Sequence, residues 1–320
     1  MALILSLLTH SALAEDIERQ PCQTLTEPSG VTQLIDGRIL VVEDEKKNPI
    51  RLLTRERDGS FSVTPLQTSS SRYSDPSGDS DLGTLADLEA VATDNNGFVY
   101  AITSHSLTRK GKQSVAREKL VRFKVKDDSV SDVGVVLDLK SAIIQLDKAL
   151  KKASHVKDVK EGNGLSIEGL SFDSKKQTLL IGLRTPIIDK KAVILVLKNP
   201  KAIFEKGALP KFKKKPIYLD LDKGGIRSIT FDATLDGYLI LSSHEKKGKK
   251  FKLWFWDGDK KQSPRRIRLH GKLDLSNAEG ITPVLIGGEK KLMFVFDVGS
   301  ATKRNKGCYA FLPYEQLKVN

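Results

Sequence analysis

Residues 166–182 read Ser166-Ile167-Glu168-Gly169-Leu170-Ser171-Phe172-Asp173, a polar turn Ser174-Lys175-Lys176-Gln177, then Thr178-Leu179-Leu180-Ile181-Gly182. Two short apolar runs joined by a polar turn are the signature of a β-hairpin. The same unit occurs four more times: Ser29–Ile35 with Arg38–Val42, Leu88–Asp94 with Gly97–Ile102, Ile226–Asp232 with Gly237–Leu241, and Ala278–Val284 with Lys291–Phe296. A third strand follows each hairpin, at Ile50–Leu53, Leu120–Val125, Val193–Leu197, Leu253–Trp256 and Tyr309–Leu312. Four units carry a fourth, at Phe61–Leu66, Val135–Leu139, Ile217–Leu221 and Ile267–Leu269.

The units begin at 29, 89, 168, 227 and 279, spacings of 60, 79, 59 and 52 residues. A repeat of this length built from four short strands suits a propeller blade. The expected fold is therefore all-β, one β-propeller of five four-stranded blades over residues 15–320. The long second spacing leaves room for a sixth, partial blade. That spacing also contains residues 141–153, with apolar side chains at 143, 146, 149, 150 and 153, the period of a helix. It predicts a helical insertion with Ser141 as N-cap. Residues Thr68–Gly83, rich in Ser, Asp and Gly, predict a surface loop.

The fifth unit lacks a fourth strand, and the N-terminal stretch Cys22-Gln23-Thr24-Leu25-Thr26 is extended and unassigned. If that stretch forms the outer strand of the last blade, the ring closes. Cys22 and Cys308 would then lie on neighbouring strands and could form a disulfide across the closure. They are the two cysteines of the chain, too few for a disulfide scaffold or a cysteine-only metal site.

Upstream of the repeats, residues 2–9 are mostly apolar, and Ala12-Leu13-Ala14 has the small-x-small form of a signal-peptidase site. Residues 1–14 are thus expected to be a signal peptide, with the mature chain periplasmic or secreted. No apolar run approaches the ~20 residues of a membrane-spanning helix. The chain carries 53 Lys plus Arg against 40 Asp plus Glu, a net charge of +13. The lysines fall in loops spread over several blades, such as Lys213-Lys214-Lys215 and Lys246-Lys247-Gly248-Lys249-Lys250. A nucleic-acid binder focuses such charge on one face of a recognisable module, so no nucleic-acid partner is expected. The expected state is a monomer.

In a hairpin, the start of the first strand and the end of the second lie at one edge. In a propeller that edge is a mouth of the central channel. The first-strand positions are Ser29, Glu89, Glu168, Arg227 and Glu279; the second-strand ends are Asp44, His105, Arg184, His244 and Asp297. These ten are expected to converge on one axis. They predict either a ligand site or an ion-pair network holding the blades in register.

Around these positions, Asp87-Leu88-Glu89-Ala90-Val91, Ser166-Ile167-Glu168-Gly169-Leu170, Gly225-Ile226-Arg227-Ser228-Ile229 and Asn277-Ala278-Glu279-Gly280-Ile281 resemble the Glu-Gly-Leu repeats of an uncharacterised bacterial propeller family, itself similar to the esterase-like phytase propellers. The resemblance covers most of residues 28–312, with Ser29 in place of Glu in the first unit and Ala90 in place of Gly in the second. It implies the propeller fold. Its phytase-like side implies a phosphoester or ester substrate and calcium.

Three functions compete. The first is binding, without turnover, of a small anionic molecule or envelope component by Asp44, Glu89, Glu168, Arg184, Arg227, Glu279 and Asp297. In its favour, the sequence has no Gly-x-Ser-x-Gly, His-Glu-x-x-His, P-loop or Cys-x-x-Cys. The second is a metal-assisted hydrolase, with Ca²⁺ on Glu89, Glu168, Glu279 and Asp297 and with His105 or His244 as general base. Two arginines among the carboxylates count against the metal and for the anion. The third is a protein-interaction scaffold, which fold alone leaves open.

Overall fold

A computed structural model of the protein describes residues 17–21, 24–44, 49–68, 82–159, 163–244, 250–297 and 308–319. The expected signal peptide, Cys22 and most of the Thr68–Gly83 loop lie outside the described residues.

The chain is a five-bladed β-propeller. Blade one contains β1 (Pro28–Gln33), β2 (Ile39–Glu43), β3 (Ile50–Arg55) and β4 (Phe61–Pro65). Blade two contains β5 (Leu88–Thr93), β6 (Phe98–Thr103), β7 (Leu120–Lys126) and β8 (Ser129–Val136). Blade three contains β9 (Ser166–Asp173), β10 (Thr178–Ile188), β11 (Lys191–Leu197) and β12 (Ile217–Leu219). Blade four contains β13 (Gly225–Asp232), β14 (Gly237–His244), β15 (Lys250–Trp256) and β16 (Arg265–Leu269). Blade five contains β17 (Ala278–Ile286), β18 (Glu289–Phe296) and β19 (Tyr309–Pro313). Strands within each blade pair antiparallel in chain order. The inner strands neighbour one another in the cycle β1, β5, β9, β13, β17 and back to β1, so the described strands close a ring of five blades in place of six.

Continuous apolar runs make the inner strands. Strand β2 is buried throughout, as expected of a strand covered on both faces. Separate apolar clusters fill the blade interfaces. Leu40, Leu52, Val91 and Phe123 lie between blades one and two. Ile102, Leu120, Ile181 and Leu195 lie between two and three, and Ile194, Ile226, Ile240 and Trp254 between three and four. Near the axis the strands approach so closely that a Cβ on Gly280 would stand 3.2 Å from the Gly30 Cα and 2.7 Å from Val295. The glycine of the repeated Glu-Gly motif is there for that approach.

Three expectations change. The insertion is two short helices, α1 (Leu139–Ile143) and α2 (Lys148–Ala153), and Ser141 lies inside the first. Asp138 and Asp147 are the N-caps, and the Asp147 carboxylate accepts from Ala149 N–H. A third helix, α3 (Pro200–Lys206), starts with Pro at N1 and ends on Gly207 in the left-handed region, a boundary pattern present in the sequence. Blade two's outer strand lies at Ser129–Val136, upstream of the Val135–Leu139 expected.

The closure is also rearranged. Gln20 bridges Tyr309, its N–H donating to the Tyr309 carbonyl at 2.7 Å while Cys308 N–H donates to the Gln20 carbonyl at 2.9 Å. The N-terminal segment therefore does run beside the last strand, at Gln20. A further strand, β20 (Leu317–Val319), pairs with β16 and joins blade four. The C-terminal residues thus extend the neighbouring blade. Cys308 is fully buried.

Candidate functional site

Every blade carries the same irregularity. The inner hairpin register shifts between Pro28 and Gly30, Leu88 and Ala90, Ile226 and Ser228, and Ala278 and Gly280. In blade three it shifts at Ile167 to Gly169. The residue left without a partner across the hairpin is in turn Ser29, Glu89, Arg227, Glu279 and Glu168. A β-bulge kinks its strand and re-aims one side chain, and here it re-aims the five first-strand positions singled out in the sequence. Arg184 sits at a second irregularity, between Leu183 and Thr185.

These residues line a cavity of about 590 Å³ at one end of the ring. Eight of the ten expected positions line it: Ser29, Asp44, Glu89, Glu168, Arg184, Arg227, Glu279 and Asp297. The two histidines do not. Asp44, Ser104 and Asp297 each donate a backbone N–H to the residue two before their blade's bulge, namely Glu27, Asp87 and Asn277. In blade two the equivalent position is therefore Ser104, one residue before His105. In blade four Ser243 pairs with Gly225 and lines the cavity, one residue before His244. A shift of one along a strand turns a side chain to the other face. His105 is fully buried at a left-handed φ of 58°. Its Nδ1 lies 2.8 Å from the Thr103 carbonyl, its Nε2 has no partner, and burial pushes its pKa down to about 4. It is a poor position for a general base.

The arginines expected to hold an anion are engaged by carboxylates. Arg184 donates to Glu168 at 2.7 Å; Arg227 lies 2.8 Å from the other Glu168 oxygen and also bonds Glu279. Glu168 is 3% exposed and Arg227 8%. Arg227 keeps its charge firmly, because Glu168 and Glu279 outweigh the opposing effect of burial. Burial pushes the Glu279 carboxyl up to about 7, against the pull of Arg227.

Across the cavity the balance reverses. Oxygens of Asp44, Asp87 and Glu89 lie within 4.8 Å of one another, and this is the one cluster of metal-capable side chains among the described residues. Of the four residues expected to hold calcium, Glu168 and Glu279 are paired with arginine, and Glu89 alone belongs to this cluster. Asp87, which the sequence reading passed over, is the best anchored of the three. It takes Arg117 at 2.6 Å on one oxygen, and Ser104 and Ser106 on the other. Asp44 presents exposed surface but stands among acids. Desolvation, then Asp87 and Glu27, push its carboxyl up to about 8. Burial, then Glu168 and Asp87, push Glu89 well above the usual carboxylate range. The whole lining holds eight acids against five bases.

Several solved structures align with most of the chain at low identity. A glucose dehydrogenase shares 10% identity over 96% of this chain and 99% of that one, with a TM-score of 0.44. The Malassezia sympodialis allergen Mala s 1 shares 11% over 92% and 78%, at 0.42. The holo PQQ domain of pyranose dehydrogenase from Coprinopsis cinerea shares 9% over 96% and 86%, at 0.42. No curated protein matches the chain. The family described as "Protein of unknown function (DUF3616)" matches residues 114–310, well over half of the chain, and the chain belongs to that family.

Proposed function

We propose that the protein is a ligand-binding propeller whose mouth takes a small polar ligand through a positively charged or hydrogen-donating group. The observation that carries this is the Asp44–Asp87–Glu89 cluster, with its oxygens within 4.8 Å. Three acids so close repel one another when ionised, and a bound cation relieves that repulsion. Arg184 and Arg227, the two arginines expected to hold an anion, are already bonded to Glu168 and Glu279, so a cationic ligand takes the place of the anionic one expected from sequence. The donors are hard oxygens, the type Ca²⁺ prefers. Asp44 and Glu89 would supply most of the coordination, because Asp87 already accepts three bonds. Export to the periplasm, a monomeric state and an envelope role remain part of this reading.

Titration calorimetry with Ca²⁺, spermidine and inorganic phosphate tests it. A cation should bind, releasing protons at pH 7, and Asp44→Asn or Glu89→Gln should weaken it at least tenfold. Binding of phosphate alone would overturn the reading. The metal-assisted hydrolase would be supported instead by turnover of a chromogenic phosphate ester that needs Ca²⁺ and fails in Glu89→Gln.

A further inference from the structure

A second cavity, of about 670 Å³, lies between blades three and four and shares no lining residue with the mouth. That volume suits a small organic ligand. Its walls have two characters. One is apolar and aromatic: Leu180, Ile217, Tyr218, Tyr238 and Trp256, with the last two rings 5.3 Å apart. The other is basic: Lys213, Lys214 and Lys215 from the stretch before β12, and Lys260 from the turn after β15.

The acids that line the cavity are already engaged. Asp173 takes Lys176 at 2.8 Å, Asp147 caps α2, and Asp259 accepts Lys261 N–H at 2.9 Å. The four lysines make no ion pair among the described residues and are exposed. Thr178, 6% exposed, also lines the cavity, and its hydroxyl has no hydrogen-bond partner. An apolar pocket with cationic groups gathered at one side and an unsatisfied hydroxyl in its wall is built for a ligand with an apolar body and an anionic head.

We infer that this cavity binds a small amphipathic anion, its aromatic or aliphatic body against Tyr218, Tyr238 and Trp256 and its carboxylate or phosphate head on Lys213–Lys215 and Lys260. This inference is independent of the reading of the mouth.

The test uses 8-anilinonaphthalene-1-sulfonate, whose fluorescence rises on entering an apolar site. It should bind the full chain at one site. Reversing Lys213, Lys214 and Lys215 to Glu should weaken it at least tenfold, and Tyr218→Ala severalfold. The matched reversal of Lys110, Lys112 and Lys126, which changes net charge equally elsewhere, should leave the affinity within twofold. Phenyl phosphate should displace the probe, and inorganic phosphate at the same concentration and ionic strength should not. The inference is overturned if reversal of Lys213–Lys215 leaves the affinity within twofold, if the control reversal weakens it equally, or if inorganic phosphate competes as well as phenyl phosphate.

Discussion

Arg227→Met should expose what holds the floor of the mouth. The side chain of methionine preserves much of the packing but removes the charge. Glu168, 3% exposed, loses the guanidinium 2.8 Å from one of its oxygens, and Glu279 loses its bonded partner. Removing one partner of a buried pair costs about 3–5 kcal/mol, because the remaining charge is left uncompensated. Glu168 keeps Arg184 at 2.7 Å, so the lower end, about 3 kcal/mol, is expected at pH 8. The cost must depend on pH. Glu279 is already pushed up to about 7 with Arg227 beside it, and without Arg227 it rises further. A group whose folded pKa is raised contributes stability at low pH and loses it as pH rises through the folded value. At pH 5 the orphaned carboxyl is protonated, and only lost hydrogen bonds remain, about 1 kcal/mol. Urea unfolding followed by fluorescence of Trp254 and Trp256 at pH 5 and pH 8 measures both values. Adding Glu279→Gln to the variant should recover much of the loss at pH 8. A loss below about 1 kcal/mol at pH 8, or one equal at both pH values, would refute the argument. It would mean that water at the mouth solvates these charges.

Four further outcomes follow from particular residues. His105, pushed down to about 4 by burial, contributes stability that is present above its unfolded value of ~6.5 and lost as pH falls toward 4, up to about 3 kcal/mol. His105→Asn, which tolerates the left-handed backbone, should flatten the acid limb of a plot of Tm against pH; an unchanged limb rejects it. Asp44, raised to about 8, acts with the opposite sign: its contribution is complete only below the unfolded value of about 4 and is lost as pH rises to about 8, so Asp44→Asn should raise Tm more at pH 9 than at pH 5. Equal shifts at both pH values would place the effect elsewhere. A Cβ on Gly225 would collide with the Arg184 carbonyl, so Gly225→Ala should cost about 1–3 kcal/mol in urea unfolding and disturb Arg184; a neutral effect rejects the close approach. A Cys22–Cys308 bridge should leave no titratable thiol in the unfolded, unreduced chain, and Cys308→Ser should cost about 2–4 kcal/mol. Two free thiols would remove the clasp.

Much of the ring was legible because a propeller repeats its information. Five copies of one hairpin fixed the strand order, and the third strands fell where the apolar runs lay. The outer strands were harder. Ser129–Val136 is only partly buried and mostly polar-flanked, so no apolar run marked it. Three-residue β20 carries too little pattern to be seen at all. At the mouth, the first-strand positions were found from their place in the repeat, but the bulge that presents them was not, since one unpaired residue leaves no compositional trace. That omission explains the misplacement of the histidines. Counting along the second strand lands on His105 and His244. The bonds Ser104 N–H to Asp87 and the pairing of Ser243 with Gly225 set the register one residue earlier. Asp87 stands inside the Asp87-Leu88-Glu89 motif, but its role rests on Arg117 and two serines distant in sequence, which no local pattern marks.

The bulge also reconciles two demands on the inner strands. They must be apolar on both faces to pack blade on blade, yet the mouth requires charged groups. A regular strand can place a charge at the channel only by keeping it in register, where its partner across the hairpin constrains it. A bulge takes one residue out of register and releases it toward the axis, while the following glycine, as at Gly280, keeps the strands close. Chemistry can then vary independently of packing. The five bulge positions hold Ser29, Glu89, Glu168, Arg227 and Glu279 on nearly the same backbone. The mouth divides accordingly. Where Arg227 and Arg184 face Glu168 and Glu279, the charges neutralise one another and tie blades three, four and five together. Where Ser29 replaces a charged bulge residue, no arginine is supplied from blade one, and the neighbouring acids Asp44, Asp87 and Glu89 are left crowded around Arg117. The ion-pair network and the proposed ligand site, alternatives when read from sequence, thus fall in two halves of one ring.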